Sequence, residues 1–322
     1  MASDCVVGVD LGGTKLLAGV VDRELRVHHR TRRIVAGIDQ AGLIDRCVDA
    51  VAEVRDAAPG EVRGVGFGIP SLIDQRRGVA VHTVNLSLSG VRFRDVMAER
   101  LGLPVWVDND ANLAALAEHR HGAARGVSEA VVLTIGTGIG GGLILRGEVF
   151  RGSVGAAGEL GHMVIDENGP RCQGNCPNHG CLESLASGTA LARVAGELAD
   201  ARPESGLGQA RAAGREVTGP LVTELAHDGD DAALEALRIV GRHLGVGLAS
   251  FANIFNPDVA VIGGGVIAAG DLLLEPARDE MLARALPPSR DVVRVVPARF
   301  GHEAGMLGGA TLAWEGVARP VP

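Results

Sequence analysis

The densest chemistry in the chain lies between positions 158 and 183. The run Gly-Glu-Leu-Gly-His ends at His162, and Cys172, Cys176 and Cys181 follow within a ten-residue window. Three soft thiolates and one imidazole form a normal tetrahedral set for Zn²⁺. The glycine, proline and asparagine around the cysteines argue against plain core thiols, and His179 is a competing ligand. A four-ligand site of this kind is closed and therefore structural. It would stiffen its loop so that Glu159, His162 and Glu183 face a substrate. Carboxylates beside an imidazole suit a polyhydroxylated ligand such as a sugar.

Three glycine turns follow three apolar runs. In the first, Asp10-Leu-Gly-Gly-Thr-Lys15, Gly12 and Gly13 let the backbone approach an anion while Thr14 and Lys15 supply donors. Asp10, at the strand end, is placed to hold a hydrated Mg²⁺ ion. Lys15 is the one lysine among 31 basic residues, kept where arginine serves everywhere else. The second turn, residues 134–142, has five glycines in nine positions. Its backbone amides, including Gly138, and the Thr137 hydroxyl are suited to the terminal phosphates of a nucleotide. It is not a Walker loop, because no Gly-Lys-Ser/Thr follows, and a strand rather than a helix comes next. The third turn, Gly263-Gly264-Gly265, closes an apolar strand and opens a helix, the usual position for a ligand at the carboxyl edge of a sheet. Three such turns at three strand ends point to one nucleotide gripped by two domains.

Between the first two turns, Val-Asp-Asn-Asp-Ala-Asn places Asp108, Asn109, Asp110 and Asn112 where a strand ends and a helix begins. One of the four is expected to cap the helix. Four exceed what a cap requires, and a carboxylate here is suited to accept a proton from a substrate hydroxyl attacking phosphorus.

The elements that must position these groups read as α/β. The first run pairs with residues 16–22 as a hairpin, a third strand covers 26–35, and an amphipathic helix spans 39–58. Strands near 62–70 and 103–108 flank a helix at 93–101, giving the order β-β-β-α-β-α-β-α. Residues 130–148 repeat the opening grammar of strand, glycine turn and strand, which suggests an internal duplication. Helices are expected at 182–200 and 230–255, with a polar surface loop at 201–220 between them. A strand to Gly263, a helix at 270–285, a strand at 291–298 and a final helix from Glu303 complete the reading.

A chain of 322 residues, 46% apolar and 22% charged, is long enough for two globular domains. The expected division is a small domain over 1–112, completed by the C-terminal helix at about 302–322, and a larger one over 113–301 carrying the metal loop. The net charge of −8 disfavours nucleic acid as a partner. No signal-peptide pattern and no apolar run of spanning length occurs, so a cytoplasmic location without membrane contact is expected.

The motifs in series resemble the ROK family (repressors, open reading frames and kinases), and within it the bacterial glucokinases. The resemblance rests on Asp-Leu-Gly-Gly-Thr-Lys, Gly-Ile-Pro at 68–70, Val-Asp-Asn-Asp-Ala-Asn, the glycine loop at 134–142, Gly-Glu-Leu-Gly-His, the cysteine cluster ending Gly-Cys-Leu-Glu and Asn-Pro-Asp-Val-Ala-Val-Ile-Gly-Gly-Gly, all in family order. It implies an actin-like, duplicated ribonuclease-H-like fold in two domains with ATP in the cleft. Asp110 would be the base that deprotonates the sugar 6-hydroxyl, with Asn85, Asn109, Glu159, His162 and Glu183 holding the sugar. His162 would serve sugar and zinc through different ring nitrogens.

Two departures stand out. Cys172 and Cys176 are separated by three residues where the family usually has one, which makes Cys172 the weakest assigned ligand. The family's Gly-x-Pro-Gly ends here in Ser71. Glucose is the expected substrate, with fructose, mannose and N-acetylmannosamine as alternatives, and polyphosphate as an alternative donor. A sugar-sensing regulator would require a DNA-binding extension ahead of the first strand, where nine residues precede Asp10. Family habit points to a homodimer or homotetramer.

Overall fold

The computed structural model describes residues 4–83 and 86–318. The first half begins with β1 (Cys5–Leu11), β2 (Lys15–Val21), β3 (Val27–Ile34), α1 (Gln40–Asp56) and β4 (Val62–Ile69). A small hairpin follows, β5 (Ser71–Asp74) and β6 (Val79–Thr83), then α2 (Phe93–Leu101), β7 (Val105–Asn109) and α3 (Asp110–His121). The second half opens with β8 (Ala130–Ile135), β9 (Ile139–Leu145) and the two-residue β10 (Glu148–Val149). Helices α4 (Leu182–Ala186), α5 (Gly188–Ala201), α6 (Gly206–Ala212), α7 (Gly219–His227) and α8 (Asp231–Phe255) follow. The chain closes with β11 (Val259–Gly263), α9 (Asp271–Arg284), α10 (Ser289–Val292), β12 (Arg294–Pro297) and α11 (Ala304–Ala318).

Two five-stranded sheets run in the orders β3-β2-β1-β4-β7 and β10-β9-β8-β11-β12. In each, the first two pairings are antiparallel and the last two parallel. The expected duplication is therefore present in the topology, which is that of the actin-like sugar kinases.

β1 shows how a sheet buried on both faces is written in sequence. Successive side chains alternate sides, so Cys5, Val7, Val9 and Leu11 enter the core shared with α1. Val6 instead joins Met306, Leu307 and Ala310 of α11. A side chain at Gly8 would collide with the backbone of Met306, and one at Gly66 with that of Gly309. Glycine at these strand positions lets the last helix lie directly on the first sheet.

Four sequence expectations are corrected. The β5–β6 hairpin interrupts the expected strand-helix alternation between β4 and α2. The helix expected over 182–200 breaks at Ser187, whose side chain accepts from Ala190 N (3.2 Å) and so starts a new helix. The expected surface loop at 201–220 holds α6 and the start of α7, capped by Ser205 and Thr218. After Gly265 the chain makes a short 3₁₀ turn to Ala269 before α9 begins. Among the described residues, no helix is long and apolar enough to cross a membrane.

Candidate active site and metal centre

The four polar residues at the β7–α3 junction have separate fates. Asn109 is the helix cap, its Oδ1 accepting from Ala111 N (2.9 Å) and Asn112 N (3.1 Å). Its amide also makes a long contact to the Ser71 carbonyl (3.4 Å), so Ser71, where the family motif is broken, braces the cap from β5. Asp108 and Asn112 are buried, 1% and 2% exposed, and bonded to each other (3.2 Å). That leaves Asp110, at the first helical position and partly exposed.

Asp110 lies between the two sheets. A side chain at Gly68 on β4 would sit 3.4 Å from its Cα, and one at Gly140 on β9 would sit 3.0 Å from Cβ of the neighbouring Ala111. Burial raises its pKa above the ordinary carboxylate value, and the charge of Glu159 adds to that. Hydrogen bonds from Ala111 N and the Asn109 side chain oppose the rise. A carboxylate held this way is a stronger base than one in water while keeping an open face.

Asp10 closes β1 opposite Gly68 and lies against the first turn of α11, where a side chain at Gly305 would come within 2.6 Å of its Cγ. Burial first, and then the charge of Asp110, push its pKa up to about 7. An acid whose proton affinity is raised by burial and by a neighbouring carboxylate gains from a cation beside it. The adjoining turn is closed by Gly12 N to Lys15 O (2.9 Å) and Val35 N to Thr14 O (2.9 Å), with Thr14 and Lys15 exposed.

The second glycine turn, with Thr137 and Gly138, is heavily braced. Gly136 N donates to Gly138 O (2.9 Å) and Gly188 N to Gly136 O (2.8 Å), while the Thr137 carbonyl accepts from Thr189 Oγ1 (2.8 Å) and Gln173 Nε2 (3.3 Å). The third turn packs on it, since a side chain at Gly264 (φ 86°) would strike the backbone of Ile135. A substituent on Gly265 would meet open space. The structure thus joins the second and third turns directly, while the first belongs to the other sheet.

His162, Cys172, Cys176 and Cys181 bring their ligand atoms within 4.8 Å of one another. The fit to zinc is close. Tetrahedral bonds of about 2.3 Å to sulfur and 2.0–2.1 Å to nitrogen imply ligand separations of about 3.8 Å between sulfurs and about 3.6 Å from sulfur to nitrogen. The Cys176–Cys181 sulfurs are 3.8 Å apart, and Cys172 Sγ lies 3.5 Å from His162 Nδ1. Cys172, the weakest ligand by spacing, belongs to the cluster, whereas His179 is exposed and outside it. With Nδ1 directed at the thiols, His162 Nε2 lies 3.9 Å from Glu159 Oε2. Glu183 reaches the second glycine turn, accepting from Ile139 N (2.8 Å) through Oε2, while Oε1 lies 3.8 Å from Cys172 Sγ. Asn85 lies outside the described residues.

Three participants escaped the sequence reading. Arg151 and Gln75 both bond to Asp108, and Gln173 bridges Thr137 O and Ser187 Oγ (3.0 Å). For Arg151 and Gln75 no local pattern marked them, since their partner is distant in sequence. Gln173 stood between Cys172 and Cys176, where attention went to the thiols.

The ROK family profile matches residues 6–315. A glucokinase of Streptomyces coelicolor is 35% identical over 315 residues, covering 96% of this chain and 97% of its own. A crystal structure of a ROK family glucokinase from Streptomyces griseus in complex with glucose and AMPPNP superposes with a TM-score of 0.85 at 35% identity, over 97% of this chain and 100% of that one. A ROK family transcriptional regulator, a homologue of the E. coli MLC protein, superposes with a TM-score of 0.89 at 28% identity, over 98% of this chain and 78% of that one. With its motifs, its paired sheets and these likenesses in agreement, the chain belongs to the ROK family.

Proposed function

We propose that this ROK protein is an ATP-dependent hexose kinase that transfers the γ-phosphate of MgATP to the 6-hydroxyl of glucose. The kinase class is supported by the glucokinase relatives at full length and by the glucose- and AMPPNP-bound neighbour. The observation that carries the reading is the partly exposed, pKa-raised carboxylate of Asp110 between the two sheets, with Asp10 and Glu159 near enough to influence the acids.

In this reading Asp110 accepts the 6-hydroxyl proton as the oxygen attacks phosphorus in line. Asn109, Glu159, His162 and Glu183 hold the sugar. Thr14, Lys15, Thr137 and the amides around Gly12, Gly13, Gly138, Gly264 and Gly265 receive the nucleotide phosphates. Asp10 binds Mg²⁺, which when present neutralises phosphate charge. The Cys₃His set holds a structural Zn²⁺ and keeps the segment bearing Glu159 and His162 in place. The lobes, 1–112 with the C-terminal helix at 302–322 and 113–301, close to exclude water. A cytoplasmic homodimer or homotetramer acting in sugar breakdown fits the class.

A coupled ADP-release assay over glucose, fructose, mannose and N-acetylmannosamine, run with ATP and with polyphosphate, tests substrate and donor together. Glucose with ATP is expected to give the highest kcat/KM. Another sugar leading by tenfold would move the assignment to that hexose. The likeness to the MLC-type regulator favours one second reading, a sugar sensor without turnover. Sugar binding with no ADP release across the panel would select it.

A further inference from the structure

Asp108 has every lone-pair direction in use. Its Oδ2 accepts from Arg151 through Nε (2.7 Å) and Nη2 (2.6 Å). Its Oδ1 accepts from Asn109 N (2.8 Å), Gln75 Nε2 (3.0 Å) and Asn112 Nδ2 (3.2 Å). These donors come from the β7–α3 junction, the β5–β6 turn and the segment after β10. β7 is an edge of the first sheet and β10 an edge of the second, so the ion pair ties the sheets together at facing edges. Nearby, Gly155 (φ 80°) docks so tightly on β5 that a side chain there would strike the Ile73 carbonyl.

A carboxylate this buried is costly without a counter-charge, and taking one partner away is far more damaging than never having had the pair. Two residues beyond Asp108 stands Asp110. We propose, resting on the kinase reading above, that Arg151 is a positioning residue for the reaction. Through Asp108 it sets the β7–α3 turn that presents Asp110 and anchors the second sheet's edge beside it. Arg151 acts on Asp108 and not on substrate. Two guanidinium nitrogens share one oxygen while Nη1 reaches Val149 O (3.3 Å), a geometry that lysine reproduces only in part.

The test is a mutant cycle in the full-length protein, with R151M, R151K, D108N and D108N/R151M assayed on glucose and ATP beside the wild type. Melting curves give the folded fraction. Because a displacement of about 1 Å at a reacting group costs up to about a hundredfold, R151M is expected to lower kcat about 10- to 100-fold per folded molecule. KM for ATP should stay within about twofold, since the nucleotide turns sit on other elements, and R151K should recover part of the loss. The double variant should be no slower than R151M, because with a neutral residue at 108 the loss of the guanidinium leaves no buried carboxylate unpaired. Should R151M fail to fold, R151K with D108N and their double run the same cycle. Folded Arg151 variants with wild-type kcat, or losses that multiply in the double, would overturn the inference while leaving the kinase reading in place. A wild type that phosphorylates no sugar overturns both.

Discussion

The two sheets share strand order and direction, yet they bring different kinds of chemistry to the cleft. The first ends in side chains: Asp10 near the end of β1, Lys15 at the start of β2, and Asp108 and Asp110 around the end of β7. The second ends in glycine turns, where a Cβ at Gly138 would meet the Glu183 carboxylate and one at Gly264 the backbone of Ile135. Its turn is held by Glu183, Gln173, Gly188 and Thr189. The second half also holds the Cys₃His cluster, which has no counterpart among the described residues of the first half. On the proposed reading the first half supplies the base and the phosphate-binding lysine, while the second supplies a braced glycine surface together with Glu159, His162 and Glu183. A duplicated fold therefore does not entail duplicated chemistry.

If the second half works as a rigid surface, damage to its supports should cost most. C176S should lose its bound zinc, measured by elemental analysis, and lower kcat/KM for glucose about a hundredfold, in line with the loss of a structural metal. Retained zinc with normal kinetics would remove the cluster from the comparison. Next is G138A, whose methyl would land on the Glu183 carboxylate. Kinetics with both substrates varied should show kcat/KM falling about 10- to 100-fold, the range for small misplacements. In the first half, K15M removes an exposed charge at the first glycine turn without touching the scaffold. Its KM for ATP should rise about tenfold, an ordinary effect for one charged contact, while glucose binding measured by calorimetry stays unchanged.

The smallest effect is on stability, and it has a definite sign. Burial, and after it the charge of Asp110, push the pKa of Asp10 up to about 7, well above the ordinary carboxylate range. The folded protein therefore binds the proton more tightly than the unfolded chain, and this group stabilises least once pH has risen past about 7. D10N should melt a few degrees higher than wild type at pH 8, in metal-free buffer, and the gap should shrink at pH 5. A gap that is constant across pH would mean that Asp10 is not strained by burial.

Much of this division was legible before any coordinates. The glycine turns, the capped α3 and the cysteine window announce themselves because each is local, with turn chemistry, cap preference and ligand type acting over a few residues. That one of the four polar residues caps α3 follows from residue type, though not which one. What stayed hidden was long-range or masked by composition. Arg151 sits 43 positions from Asp108, with nothing nearby to mark it among so many arginines. The β5–β6 hairpin has strands of four and five residues, too short for a clear alternation. The α5, α6 and α7 starts carry cap signals in Ser187, Ser205 and Thr218; the first is hidden inside an apolar pattern that runs on through it, and the glycines beside the other two read as loop.

The most direct measurement concerns D110N. The substitution keeps the side chain's size and its acceptor toward Ala111 while removing the proton acceptor. Calorimetric titration should give a glucose dissociation constant within about threefold of wild type, while turnover with MgATP falls at least about a hundredfold, the scale expected for a lost general base. Turnover close to wild type, with sugar binding intact, would contradict the account at its centre.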